Sequence, residues 1–412
     1  KQIKVRGHVL VWHAQTPEWF FHEDYDASKD YVDTKEMNKR LEWYIATVLQ
    51  HFTGEDSPYH GMFYGWDVVN EAVSDQGKKY RTDAENASEP LSQSTHGSNS
   101  SWWHVYQSNE YIINAFRYAN KYAPADVELY YNDYNEFNML KKNGIVMLIN
   151  DVKAAEGTRL DAFGMQGHYG LNSPDASVLG GYFMEYANAA GKVQITEWDV
   201  SASTAYDGTD KTKLDEYRKQ ALYYKRMYDA VKLAIEKGNN VTGLTWWGVV
   251  DKYSWLQTSS NVGGGSNGKR KQCPLLFDND YKAKPSYWAF VDASQIVPLT
   301  TPEEPEPTAT PVPTEEPIVV TETFQSLFGQ YGMKAGTCLS DSMITKKACT
   351  NIINEQFNSI TFENHLKPDY ILDQKESIAA GDLVVKFGSK TVELMEWCKN
   401  NDKVMRGHTL IW

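Results

Sequence analysis

The heptapeptide Arg6-Gly7-His8-Val9-Leu10-Val11-Trp12 returns almost unchanged as Arg406-Gly407-His408-Thr409-Leu410-Ile411-Trp412, 400 positions later. Both copies read as buried strands, and a closed sheet has one slot for a given strand. Between them, strand-like runs at Val5–Trp12, Phe63–Asn70, Val127–Tyr131, Asp161–His168, Val193–Glu197 and Val241–Trp247 alternate with helical patterns at Thr34–Phe52, Trp103–Tyr122, Met139–Glu156 and Lys213–Lys237. Six strands with intervening crossovers imply a parallel sheet. Six is two short of a closed eightfold barrel.

The missing strands lie beyond a break in composition. Seven of the 15 prolines fall between Pro298 and Pro317, in PLTTPEEPEPTATPVPTEEP. Pro, Thr and Glu with few large apolar residues build no core, so this segment reads as an extended linker. It divides the chain into 1–297, the linker 298–317, and 318–412. The last part supplies strand-like Met333–Thr337 and Ser359–Phe362, a helix at Thr345–Gln356, another ending near Asn400, and the repeated strand Val404–Trp412. The expectation is an α/β fold, a (β/α)8 barrel written in permuted order: strands three to eight, the linker, then strands one to three with the third duplicated. A repeat cut from a tandem array gives the same pattern. Only Val5–Trp12 continues into His13 and Gln15, so that copy is expected in the barrel and Val404–Trp412 displaced, frayed or paired outside. A polyproline-like tether of this length reaches roughly 60 Å, enough for closure within one chain. It also permits domain-swapped self-association through 318–412.

Charge and composition narrow the function. Against 41 Lys+Arg stand 54 Asp+Glu, a net charge of −13 without a basic run. Nucleic acid and anionic membranes call for clustered cations and are therefore not expected partners. An apolar run of about 18 residues, as a membrane-spanning helix needs, is absent. Aromatic residues make up 13%, with 13 Trp and 26 Tyr, more than a core ordinarily requires. Such a surplus suits a groove for ligands with flat apolar faces, such as sugars. The four cysteines, Cys273, Cys338, Cys349 and Cys398, form no C-x-x-C pair, and neither a metal nor another cofactor is expected.

Chemistry in such a barrel is carried by the C-terminal ends of the strands. Here they finish in Trp12-His13-Ala14-Gln15, Asn70-Glu71, Gln166-Gly167-His168, Glu197-Trp198-Asp199 and Trp246-Trp247. A carboxylate at a barrel mouth loses hydration and needs a compensating role. The chain places one there twice, at Glu71 and Glu197, on strands four and seven across the mouth from each other. Paired carboxylates, one protonated and one ionised, are the minimal machinery for cleaving a glycosidic bond.

Seven segments, RGHVLVWHAQTPEW, WDVVNEAV, YYNDYN, MQGH, ITEWDV, TWWGVVDKYSW and FNSITFENHLKPD, together resemble glycoside hydrolase family 10, the endo-β-1,4-xylanases. The resemblance spans both sides of the linker. It implies a retaining enzyme acting on xylan and xylo-oligosaccharides, with Glu71 as acid/base and Glu197 as nucleophile. It further implies that Asn70 bonds the sugar 2-hydroxyl, and that His168, supported by Asp199, holds the nucleophile. Trp247 and Trp255 would wall the sugar at the cleavage site. His8, Trp12, Gln15 and Gln166 would meet its hydroxyls, Tyr134 would lie on the leaving-group side, and Glu363, Asn364 and Lys367 would bind the next sugar on the non-reducing side. Secretion is implied by a polymeric substrate.

Two departures accompany the resemblance. His365 and Leu366 stand where the family more often has Glu and Met, and a long polar stretch, Ser74–Ser101, follows Glu71 and is expected to form an extended loop near the cleft, placed to alter the leaving-group subsites. The same residues also admit a xylan-binding or inactive barrel fragment that does not cut, and a β-1,4-glucanase of the same fold.

Overall fold

The structure, a computed structural model, describes residues 5–77, 79–91, 97–202, 210–257, 272–296, 322–401, 405–406 and 408–410. The expected linker 298–317 lies outside the described residues.

Eleven strands form the sheet framework: β1 (Val5–Trp12), β2 (Phe63–Asn70), β3 (Glu128–Asp133), β4 (Ala162–Met165), β5 (His168–Gly170), β6 (Val193–Ser201), β7 (Val241–Trp246), β8 (Lys334–Leu339), β9 (Ser359–Phe362), β10 (Met405–Arg406) and β11 (His408–Leu410). Their order across the sheet is β10-β9-β8-β7-β6-β4-β3-β2-β1-β11, with β5 paired to the far end of β6. Every strand pair is parallel. Eight parallel strands in this order, β9, β8, β7, β6, β4, β3, β2 and β1, with helices between them, make a (β/α)8 barrel. Short β10 and β11 occupy its seam.

Burial on both faces explains why these strands read as continuous apolar runs. All eight residues of β2 and all nine of β6 are buried. Outward residues such as Trp66, Trp198 and Trp246 pack beneath the helices; Trp246 stacks on Phe324 and Phe328, tying β7 to the helix Phe324–Gly329 that precedes β8. Inward residues are largely polar. Arg6 pairs with Asp67 at 2.8 Å and its guanidinium lies over the Tyr130 ring, while Asp67 also meets His8 Nδ1.

Several helices begin where short polar side chains cap them. Asp33 accepts the N–H of Glu36 to start Thr34–Thr53, Asn138 those of Leu140 and Lys141 to start Met139–Ala154, and Asp175 that of Ser177 to start Ala176–Ala190.

Three sequence expectations need correction. The helical pattern Trp103–Tyr122 is two helices, Ser101–Tyr106 and Glu110–Tyr122, because Gln107 adopts a left-handed conformation (φ 50°) and ends the first. The run Asp161–His168 is broken at Gln166-Gly167, where Gly167 takes φ 83°, so His168 opens a separate strand. The repeated strand is not displaced from the sheet: Met405 and Arg406 pair with Ile360 and Thr361 of β9, and His408 pairs with His8 of β1. The physical reason is edge satisfaction. No ladder joins β9 to β1 among the described residues, and unpaired backbone groups on two neighbouring edges recruit whatever strand can reach both.

Close inward packing sets one exacting position. A Cβ on Gly164 would stand 2.2 Å from Asn132 Oδ1 and 2.8 Å from both Arg6 Nη1 and Thr196 Cγ2. Gly164→Ala should destabilise the protein by about 1–3 kcal/mol, measured by denaturant unfolding, since overpacking forces neighbours from their rotamers. Gly180→Ala, with open space around its Cβ in the helix Ala176–Ala190, should be neutral or stabilising by up to about 1 kcal/mol.

Candidate active site

The C-terminal ends of the strands gather the expected residues into one hydrogen-bonded array. Glu71, the first residue after β2, adopts φ 55°, which turns its side chain back over the barrel mouth. Its carboxyl is buried and takes two donors: Trp12 Nε1 on Oε2 and Gln166 Nε2 on Oε1, each at 2.7 Å. Burial pushes its pKa up to about 7 and the Asp133 charge acts in the same direction; the Gln166 hydrogen bond, Arg81 and Lys141 offset only part of this.

Glu197, inside β6, has a different shell. Asn132 Nδ2 donates to its Oε1 at 3.0 Å, His8 Nε2 lies 3.4 Å from the same oxygen, and His168 Nε2 lies 3.3 Å from Oε2. The other ring nitrogen of His168 bonds Asp199 Oδ1 at 3.0 Å, and Trp255 Nε1 donates to Asp199 Oδ2 at 2.9 Å. Burial alone would lower the pKa of His168, but Asp199 and then Glu197 outweigh it and raise the group to about 10. His168 is therefore an imidazolium at neutral pH, with a proton for each carboxylate.

Two amides link the shells. Asn70 Oδ1 accepts from Gln166 Nε2 at 3.2 Å and from Asn132 Nδ2 at 2.9 Å, so Glu71, Gln166, Asn70, Asn132 and Glu197 form one chain of contacts. Asn70 Nδ2 is buried without a hydrogen-bond partner among the described residues. An orphaned buried donor is costly and marks a place prepared for an acceptor.

The remaining candidates fall into three groups. Trp247 stands edge-on to both His8 and His168, and Trp255 packs on His168 at 5.0 Å, so both indoles border the Glu197 side. After β9, Lys367 Nζ donates to Asn364 Oδ1 at 2.8 Å. Burial holds the Lys367 ammonium well below the usual lysine range against the opposing charges of Glu363 and Glu197, and burial raises the Glu363 carboxyl. Gln15, partly exposed, follows β1 with φ 53°. Tyr134 is less available than the sequence suggested: its hydroxyl bonds Asp75 and takes an N–H from Arg81 at 3.3 Å, and Lys141 Nζ sits 3.9 Å above its ring. Of the departures, His365 Nδ1 is buried without a partner among the described residues and Leu366 is wholly buried. Among the described residues no group of three or more His, Cys, Asp or Glu could hold a metal ion.

The profile of glycosyl hydrolase family 10 matches residues 1–293 and 323–412, and the chain belongs to that family. A Caldicellulosiruptor saccharolyticus protein is 36% identical over 299 residues, 71% of this chain and 84% of its own length. Endo-1,4-β-xylanase A of Thermotoga neapolitana is 34% identical over 300 residues, 72% of this chain but only 24% of the relative, so the chain spans about a quarter of that larger protein. Among solved structures, the family 10 enzyme of Paenibacillus barcinonensis superposes with a TM-score of 0.58 at 33% identity, covering 72% of this chain and 78% of that one. A Clostridium thermocellum xylanase module pair complexed with xylohexaose gives 0.56 at 32% identity, covering 72% of this chain and 53% of that one.

Sequence reasoning missed Asn132. It lies in the quoted YYNDYN motif, and the available signal was parity: Asn132 is two residues from inward-facing Tyr130, a polar side chain where the strand points into the barrel. Its Oδ1 accepts from Thr196 Oγ1 at 2.7 Å and its backbone carbonyl takes the Glu71 N–H at 2.9 Å. Asn132→Ala should lower kcat on an aryl β-glycoside by about 100-fold with little change in KM, since it loosens a carboxylate at the reacting centre. Steady-state kinetics beside a thermal unfolding check of the same preparation measures this.

Proposed function

We propose that this chain is a retaining endo-1,4-β-xylanase that cleaves internal β-1,4 bonds of xylan, with Glu71 as acid/base and Glu197 as nucleophile. One observation carries the assignment of roles: the two buried carboxyls have opposite shells. Glu71 sits among neutral donors and keeps its proton up to about pH 7, whereas Glu197 faces the His168 imidazolium. In the first step a Glu197 oxygen attacks the anomeric carbon while the bond to the leaving oxygen breaks and that oxygen takes the Glu71 proton. In the second step Glu71, now an anion, removes a proton from water; the water oxygen bonds the anomeric carbon and Glu197 is released.

The unpartnered Asn70 Nδ2 is the donor for the 2-hydroxyl, a bond that strengthens as the sugar approaches the oxocarbenium-like transition state. Trp247 and Trp255 wall that sugar, His8, Trp12, Gln15 and Gln166 meet its hydroxyls, and Glu363, Asn364 and Lys367 receive the next one. Tyr134 borders the leaving-group side through its ring. The xylanase name of the Thermotoga relative and the xylohexaose complex of the Clostridium module support xylan as substrate. We further propose that 1–297 and 318–412 build one barrel joined by 298–317, as the two matched blocks suggest, with exchange of 318–412 between chains as the variant arrangement. With a polymer as substrate, action outside the cell is part of this proposal.

Release of reducing ends from xylan, abolished by both Glu71→Gln and Glu197→Gln, is the expected result; turnover of cello-oligomers equal to that of xylo-oligomers would overturn the choice of substrate. Because the acid must be protonated, kcat/KM should fall as pH rises through about 7, on a limb that Glu71→Gln removes from the residual rate on activated aryl glycosides.

A further inference from the structure

We propose that Arg81 is a positioning residue for the acid/base, acting on the main chain of Glu71, and that the polar insertion after it serves as the cover that keeps this guanidinium dry. The proposal rests on the assignment of Glu71 as acid/base given above.

Glu71 holds a left-handed backbone conformation without being glycine, which disfavours it locally and requires support from its surroundings. That support comes from two sides. The Glu71 N–H donates to Asn132 O of β3 at 2.9 Å, and the Glu71 carbonyl receives Arg81 Nε at 2.9 Å. The first contact is part of the barrel; the second comes from a side chain ten residues on. The rest of the guanidinium is spent on neighbouring oxygens: Nη1 on Ser98 O at 3.1 Å, Nη2 on Asp75 Oδ2 at 3.2 Å, Tyr134 Oη at 3.3 Å and Val73 O at 3.5 Å. Such a planar fork, with donors in fixed directions, ties the turn after β2 to the insertion in a way a lysine cannot reproduce.

Arg81 is only 1% exposed, and the insertion supplies the cover. Its carbonyl contact at Ser98 is held because Ser98 N–H bonds Glu89, while Asn99 Nδ2 bonds Asn86 O at 3.0 Å and the Asn86 N–H returns to Asn99 Oδ1 at 2.9 Å. Thr82 O accepts the Ser100 N–H at 3.0 Å, closing the loop at its base. The described residues of this stretch tie back on themselves around the cation that holds the Glu71 main chain.

The test exploits leaving-group chemistry. Departure of a xylan chain needs the proton of Glu71, whereas 2,4-dinitrophenolate leaves without it, so damage confined to the acid spares dinitrophenyl xylobioside. Arg81→Ala should lower kcat/KM on xylan by about 100-fold while changing that on dinitrophenyl xylobioside by less than about 3-fold, within the range a general acid contributes. Arg81→Lys, which keeps the charge, should recover part of the loss. The ratio of the two activities is independent of the folded fraction, and Asp75→Asn, which replaces the anion paired with the fork by a neutral amide, should shift it in the same direction by less. Glu71 is faced by Trp12 from β1, Asp133 from β3 and Tyr134 just after it, Gln166 from the end of β4, Lys141 from the helix Met139–Ala154, and Arg81, with its partner Asp75, from the loop. Removing the Arg81 cation from that set should move the basic limb of the xylan pH profile upward in Arg81→Ala and not in Arg81→Lys. Equal losses on both substrates with an unmoved limb would overturn the proposal and leave Arg81 a merely structural residue. Glu71→Ala, run in parallel, must itself show the selective loss; if it does not, the acid/base assignment has failed rather than the role of Arg81.

Discussion

The side-chain amide of Asn132 touches both halves of the reacting centre. Its two N–H bonds go to Glu197 and Asn70, its oxygen takes the Thr196 hydroxyl, and its backbone carbonyl anchors the N–H of Glu71. No rotation of that amide satisfies the same partners, so β2, β3 and β6 are locked in one register at the mouth. Gly164 leaves the room for it by lacking a Cβ. The separation of the two carboxyls is therefore a property of the barrel frame, and side chains on loops only refine it.

Around that frame the charges are sorted by side. The Glu197 flank concentrates His8 and a His168 imidazolium backed by Asp199, so that a carboxylate there is answered by positive charge and directed N–H groups. The Glu71 flank supplies an indole and an amide to the carboxyl itself, and keeps its cations one layer away in the cluster of Asp75, Arg81, Asp133 and Lys141. Burial opposes ionisation of Asp75, yet Arg81 and Lys141 hold its carboxyl well below the usual range. That cluster is close to neutral as a whole, which lets Glu71 retain its proton while its peptide group remains fixed.

Much of this was legible in the sequence because a barrel strand is apolar until it reaches the mouth. The polar residues ending Trp12, Asn70-Glu71, Gln166-Gly167-His168 and Glu197-Trp198-Asp199 stand out against such a background, and all of them converge in space. What stayed hidden had two causes. Asn132 and Arg81 act through contacts between elements distant in sequence, which spacing does not encode. The aromatic surplus was only partly a cleft: Trp66, Trp102, Trp198 and Trp246 are core, since large rings also fill the space between barrel and helices. The repeated strand misled in a different way. Its pattern predicted an occupant for one slot, but pairing depends on which edges are open, and two were.

That seam separates two groups of residues at the barrel mouth. On one side of it β9 leads to Glu363, Asn364 and Lys367; on the other β1 carries His8 and Trp12; the two carboxyls stand further round the ring on β2 and β6. Parting β9 from β1 would shift Glu363, Asn364 and Lys367 against His8 and Trp12, while the contacts of Asn132 still join β2, β3 and β6 on the other side of the ring.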